Sequence, residues 1–447
     1  MAKKIQDFDK LYWFLRHYVD FSVKASYRSI IYEGKENIPT DGAIIYAPNH
    51  TNTIMDALVV LAMDSKPKVF VARADIFRNK TLAKILTFLK IMPIMRQRDG
   101  FNELKKNHET IEKSVDVLKD KIPFCIFPEG THQTKYSSLP LAKGIFRIAF
   151  QAQEIIPQMP LYIIPTGLIY GNFFRFRSTV RVQIGEPINV GKFIAEHSDL
   201  SQQEQMNKMK DLLTQRIHST ILYIPNDENY NATYEICNIM QGFEIKELLK
   251  EKTNKRKHTL NLQLKANNKT LKHINELKDN NPEKAKTLFE LGDKANKLRE
   301  SKHISIESVS VRYPILSRLP KILLMIISLP YSLSISILTL PIILVCRCIF
   351  SLLKDPAFKN SIRFLIHLVF WPLLMIIYSI ICYNIMPWQF ALPLTLIMLP
   401  APIIAHELWK MFRFIFSDLK LIRAKKLRDL HKQIREIIKG STMDKTA

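Results

Sequence analysis

His50 and Asp56 are the first residues in this chain whose types and spacing suggest chemistry. They sit in Asn49-His50-Thr51-Asn52-Thr53-Ile54-Met55-Asp56, with five residues between base and acid. A histidine with a carboxylate partner is the minimal apparatus for taking a proton from a hydroxyl. A second stretch of interest is Pro128-Glu129-Gly130-Thr131, where a tight turn after an apolar run exposes backbone N–H groups. A lone histidine is often structural. What matters is whether the flanking elements bring these two stretches to one place.

The flanking pattern supports that. Ala43-Ile44-Ile45-Tyr46 reads as a buried strand ending at His50, and Ala57 to Met63 as a buried helix beginning just after it. Sites in open α/β sheets lie where a strand ends and a helix begins, and helix N–H groups there receive anions. Ile122 to Phe127 is a strand that delivers Glu129. Further strands are expected at 68–72, 161–168 and 179–184, and helices at about 77–90, 102–120, 142–154 and 201–222. Strands alternating with helices predict an α/β domain with a largely parallel sheet. Its expected limits are 32–225, preceded at 1–31 by an amphipathic, aromatic-rich helical region suited to a membrane interface.

Beyond residue 225 the composition changes. Residues 226–310 are dense in Lys, Glu and Asn and predict a charged helical spacer with a thin apolar pattern. Residues 311–406 predict membrane segments. Positions 322–346 and 364–406 lack Lys, Arg, Asp and Glu, and a bilayer core of about 30 Å needs about 20 apolar residues. The second run is about twice one span, with a turn expected at Asn384–Pro387, and so reads as a helical hairpin. Pro330 and Pro341 mark the first as kinked or re-entrant. Residues 407–447 predict a basic amphipathic tail along the membrane surface.

The formal net charge is +24. Residues 301–447 hold 19 Lys and Arg against 7 Asp and Glu, so much of the excess flanks the most apolar third. Basic flanks on apolar spans point to a membrane, not to nucleic acid, for which no zinc-finger or RNA-binding motif is present. Five scattered cysteines without a Cys-x-x-Cys pair predict reduced thiols and no metal site.

Four blocks, in order, resemble the glycerolphosphate acyltransferase family, which includes the lysophosphatidate acyltransferases. They are Asn49-His50…Asp56, Pro93-Ile94-Met95-Arg96, Phe127-Pro128-Glu129-Gly130-Thr131 and Ile163-Ile164-Pro165-Thr166-Gly167, and the resemblance covers roughly residues 28–225. It implies an α/β acyltransferase domain that moves a fatty acyl group from a thioester to an alcohol. His50 would be the base and Asp56 its orienting partner. Arg96, Glu129, Gly130, Thr131 and Asn49 would belong to the substrate-binding set, with Lys143 as a further candidate. Pro165 would shape the pocket. Acyl-CoA or acyl-carrier protein would be the co-substrate and a glycerol phosphate or lysophospholipid the acceptor, with no metal or other cofactor, because the thioester is already activated.

Two departures bear on substrate. The usual spacing between His and Asp is four residues, so His50 and Asp56 meet only if the turn entering the helix holds an extra one. A five-residue spacing resembles the fungal-type glycerol-3-phosphate/dihydroxyacetone-phosphate acyltransferases and favours glycerol 3-phosphate as acceptor. His132 stands where many members have Arg. Alternatives are a lysophosphatidate acyltransferase, a lysophospholipid-remodelling enzyme and, from another class, a non-catalytic membrane scaffold. The implied location is a bacterial inner membrane or endoplasmic reticulum, with the catalytic domain facing the cytosol.

Overall fold

The structure, a computed structural model, describes residues 4–94, 106–250, 259–311 and 319–443. The chain forms two compact units. One comprises Met1–Tyr223 with Phe350–Leu368, the other Ile224–Ile349 with Val369–Ala447.

Among the described residues, the first unit has eight strands: β1 (Tyr27–Glu33), β2 (Ala43–Pro48), β3 (Val69–Arg73), β4 (Ile91–Ile94), β5 (Phe124–Cys125), β6 (Leu161–Tyr170), β7 (Ser178–Ile184) and β8 (Ile188–Asn189). Their order is β1-β7-β6-β2-β5-β3-β4, with β8 beside β6. Every pairing is parallel except β6 with β7 and β6 with β8. The expected largely parallel α/β sheet is therefore present. Strand β2 lies between β5 and β6 and runs parallel to both, so the ends carrying His50 and Glu129 share one edge. Ile45, Tyr46, Val69, Phe124, Ile163 and Ile164 are buried, which explains their near-continuous apolar runs.

Some boundaries differ from expectation. The N-terminal helix, Lys10–Ser26, stops short of residue 31 because Tyr27 to Glu33 is drawn into the sheet beside β7. It docks through Tyr12, Arg16 and Val23, and the Arg16 guanidinium donates to the carbonyls of Leu61 and Asp64 and to Asp20. Leu11, Trp13, Phe14 and Phe21 remain exposed. Ile91–Ile94, to which the sequence reading assigned no element, is a strand that follows the helix Lys80–Phe88.

In the second unit, the expected spacer and tail build one core. Helices Tyr230–Lys250, Thr259–Asn280 and Pro282–Ser301 pack with Lys425–Met443. Ile236, Met240, Ile274 and Leu288 meet Leu427, Ile434 and Ile438 in a single buried cluster. The apolar stripe of helix Lys425–Met443 is therefore covered by protein and does not lie along a membrane. Buried Glu235 pairs with Arg299 at 2.7 Å, the arrangement an ionised group needs inside a core.

Among the described residues, two helices are long and apolar enough to cross a membrane, Leu329–Leu352 and Phe358–Ile385. The first runs through Pro341 and extends past Arg347, beyond the limit of 346 set by charge alone, since an arginine near a helix end can reach polar surroundings. The second ends at Ile385 and the chain turns before Trp388, within the expected Asn384–Pro387. Trp388–Met398 and Ala401–Arg423 form a pair bent by 47°.

Candidate active site

His50 follows the end of β2, and Asp56 lies in the first turn of the helix Ile54–Leu61. Helix formation begins only after Thr53, whose φ of 48° and ψ of −125° are rare for a β-branched residue. The turn between His50 and the helix is therefore irregular at Thr53. Such a conformation costs on the order of 1–3 kcal/mol and persists where neighbours hold it. The Thr53 hydroxyl is paired with that of Ser361, in a completely buried contact.

With the turn so formed, His50 Nδ1 lies 2.8 Å from Asp56 Oδ2. The backbone N–H groups of Thr51 and Asn52 both donate to the same oxygen at 2.7 Å. The other oxygen, Oδ1, accepts the Tyr170 hydroxyl at 2.7 Å. Asp56 is 0% exposed and receives donors on both oxygens. A carboxylate only accepts, so Nδ1 carries the proton and the lone pair rests on Nε2, as a base requires. Phe127 stacks on the His50 ring with centroids 4.3 Å apart.

Glu129 meets the same loop from β5. Its Oε1 accepts the His50 N–H at 3.3 Å, and Gln133 N–H donates to the His50 carbonyl at 3.1 Å. Burial pushes its carboxyl up to about 8, against the backbone N–H groups of His50 and Leu139, which favour the charged form. Glu129 is 6% exposed, and its Oε1 anchors the base loop. Gly130 takes φ of +65°, a conformation in which a side chain would be strained. Its N–H already donates to Phe127, while Gly130 and Thr131 are exposed at the turn.

Asn49 needs correction. Its amide donates to the Leu168 carbonyl at 3.2 Å and accepts the Leu168 N–H at 2.6 Å. It is 2% exposed, and its side-chain amide ties the end of β2 to β6. Its side chain reaches Leu168 while that of His50 reaches Asp56, which adjacency in sequence concealed. Lys143 is exposed at the start of the helix Gly144–Ile155 and touches neither His50 nor Glu129 among the described residues. Arg96 lies outside the described residues. Pro165 is a register position of β6 opposite Ala47, and its carbonyl accepts the Gly185 N–H at 2.8 Å.

The structure adds residues that sequence reading missed. Tyr170 ends β6, 114 positions from Asp56, and only its place on a strand of the same sheet could have suggested a link. The segment Phe350–Leu368 contributes Asp355, whose Oδ2 is 2.9 Å from His132 Nε2, and Phe358, edge-on to the His132 ring at 5.2 Å.

Comparison with known proteins adds the family. Residues 29–169 match the family model described as Acyltransferase. The chain is 31% identical over 140 residues to glycerol-3-phosphate O-acyltransferase 2 of Saccharomyces cerevisiae, covering 31% of this chain and 19% of that protein. It is 24% identical over 163 residues to a 1-acyl-sn-glycerol-3-phosphate acyltransferase of Borreliella burgdorferi, covering 36% and 63% respectively. The match therefore spans less than a fifth of the yeast relative's own length and less than two thirds of the bacterial one's. Among solved structures, the 1-acyl-sn-glycerophosphate (LPA) acyltransferase PlsC of Thermotoga maritima aligns with a TM-score of 0.35 at 18% identity, over 48% of this chain and 83% of that one. The matched stretch, residues 29–169, is the part of the chain that carries the His50–Asp56 pair and Glu129.

Proposed function

We propose that this protein is a membrane-bound O-acyltransferase that moves a fatty acyl group from an acyl thioester to a hydroxyl of a glycerol phosphate, with glycerol 3-phosphate as the preferred acceptor. The observation that carries this reading is the 2.8 Å contact of His50 Nδ1 with a fully buried Asp56 inside the stretch that matches the acyltransferase family. His50 Nε2 takes the acceptor hydroxyl proton as that oxygen attacks the thioester carbonyl. Asp56 stabilises the imidazolium, as the acid of a hydrolytic triad does. The tetrahedral adduct then expels the thiolate, the C–S bond breaks, and the proton held by His50 passes to sulfur. The donor is acyl-CoA or acyl-carrier protein. The acceptor choice follows the irregular turn at Thr53, which sets the base relative to the acceptor side of the site, where misplacement by about 1 Å costs about 10²-fold. The yeast relatives are named as glycerol-3-phosphate acyltransferases, in keeping with this choice.

The membrane arrangement follows from chain connectivity. Residues 224–318 contain no apolar run of spanning length, so the helices after the catalytic domain stay on its side of the membrane. The connection 353–357 belongs to the catalytic unit. The chain from 319 to 352 must therefore enter and return. Helix Lys425–Met443 shares a core with helix Pro282–Ser301, so 369–423 must also go in and come back, turning at Met386-Pro387. Arg347, Lys354, Lys359 and Arg363 around that connection, against Asp355 alone, support a cytosolic location for this side.

Release of free thiol from acyl-CoA by the purified protein, dependent on added glycerol 3-phosphate, tests the function. A membrane scaffold gives none, and a remodelling enzyme responds only to larger lysophospholipids.

A further inference from the structure

The segment between the two long apolar helices is built into the site at two points. Asp355 meets His132, and Ser361 meets Thr53 in the loop that carries the base. Ala357, Asn360, Ser361 and Phe364 of this segment are all buried, and Phe364 shares a core cluster with Tyr46, Met55 and Tyr170. The segment is therefore a packed part of the domain and not a loop passing over it.

His132 is well placed to use that support. Its ring centroid lies 5.7 Å from that of His50, at 76°, so the two imidazoles are neighbours, each partly exposed. The two histidine-bearing loops are tied to each other by Gln133 N–H to the His50 carbonyl and His50 N–H to Glu129. Asp355 Oδ1 accepts the Ala357 N–H at 2.8 Å, which fixes the carboxylate and aims Oδ2 at His132 Nε2. Burial works against ionisation of Asp355, but the Ala357 N–H and the His132 ring more than offset it and hold the carboxyl below its usual range. An accepting carboxylate at Nε2 puts a proton on that nitrogen and leaves Nδ1, which makes no hydrogen bond among the described residues, for a ligand. Phe358, at 88° to the ring, limits rotation on the other side.

We propose that Asp355, supplied by the connection between the apolar helices, is a positioning residue for the acceptor side of the site, and that it acts by fixing His132 so that Nδ1 meets a polar oxygen of the acceptor headgroup beside the base. This rests on the acyltransferase reading above. It makes the chain between two membrane helices a determinant of acceptor binding, whereas the base and its acid come wholly from the N-terminal domain.

The test is a double-mutant cycle on the full-length protein in detergent, reading the KM for glycerol 3-phosphate, the KM for acyl-CoA and kcat. Asp355→Asn keeps an oxygen for the Ala357 N–H and removes the carboxylate from His132. Asp355→Ser does the same with a smaller capping side chain, and serves if the first variant does not fold. Loss of a charge-assisted hydrogen bond predicts a rise in acceptor KM of about tenfold or more, with acyl-CoA KM and kcat changed much less. Asp355→Glu should recover part of the loss. Because Asp355 acts through His132, adding Asp355→Asn to His132→Ala should raise acceptor KM no further than His132→Ala alone. An unchanged acceptor KM in folded Asp355→Asn or Asp355→Ser protein, or losses that multiply in the double variant, would overturn the proposal. Wild-type protein that transfers no acyl group to any glycerol phosphate is a different result, and refutes the function instead.

Discussion

Tyr170 donates its hydroxyl to Asp56 Oδ1 at 2.7 Å, while His50 occupies Oδ2 of the same carboxylate at 2.8 Å. The acid is thus gripped from both ends, and its orientation toward the base does not depend on the loop alone. Tyr170 is fully buried against Tyr27 and Phe173, and Tyr136 donates to its carbonyl at 2.6 Å.

Tyr170→Phe keeps the ring and removes this donor. Asp56 Oδ1 is then left unpaired in a dry site, at a cost of about 1–3 kcal/mol. The expected outcome is a lower thermal midpoint and a kcat reduced about tenfold, with both substrate KM values nearly unchanged. Wild-type kcat and stability in this variant would show that the loop holds Asp56 without help.

Glu129 gives the protein a pH dependence of known sign. Burial raises its carboxyl from an ordinary 4.5 to about 8 in the folded state. Between these values the folded protein holds a proton that the unfolded chain has lost. This contribution to stability is therefore complete below pH 4.5 and declines as pH rises, by up to about 1.4 kcal/mol per unit, until about pH 8. Glu129→Gln keeps an oxygen for the His50 N–H and cannot ionise. Thermal unfolding at pH 5 and pH 8 should show a smaller fall for this variant than for the wild type. Equal falls would mean that Glu129 ionises freely in the fold.

The topology predicts where a thiol reagent reaches. Asn384→Cys, at the turn of the second hairpin, should react with an impermeant maleimide on intact cells. Lys432→Cys, on the exposed side of the helix that shares a core with Pro282–Ser301, should react only after permeabilisation. Labelling of Lys432→Cys from outside would refute the paired entry and return.

The sequence was most readable where chemistry and chain proximity coincide. His50 and Asp56 lie within one turn of each other along the chain, and a strand-then-helix hydropathy pattern brackets them. The spacing of five predicted an altered turn, and the turn is irregular at Thr53. Tyr170, Asp355 and Ser361 were not readable, because each reaches the site through a long-range contact that no local period records. Asn49 was misread for the opposite reason: it is next to His50 in the chain, but its amide is bonded to Leu168 of β6. In the tail, Trp409, Phe412, Leu419 and Ile422 stay exposed. Only its second half, Lys425–Met443, departs from the reading, because an amphipathic helix looks the same whether its apolar stripe meets lipid or protein. Leu427, Ile434 and Ile438 declare which only once Leu288 and Ile274 are seen against them.

The central claim is that His50, held by Asp56, is the base of acyl transfer. The direct measurement is kcat/KM for wild type, His50→Ala and Asp56→Asn, each purified in detergent and checked for a native thermal transition, with acyl-CoA and equal glycerol 3-phosphate and 1-acyl lysophosphatidate. Loss of a general base lowers the rate by about 10²–10⁴-fold. The account predicts that wild-type protein acylates glycerol 3-phosphate in preference, that His50→Ala loses transfer by at least that factor, and that Asp56→Asn is similarly severe. Full transfer by folded His50→Ala protein would contradict it.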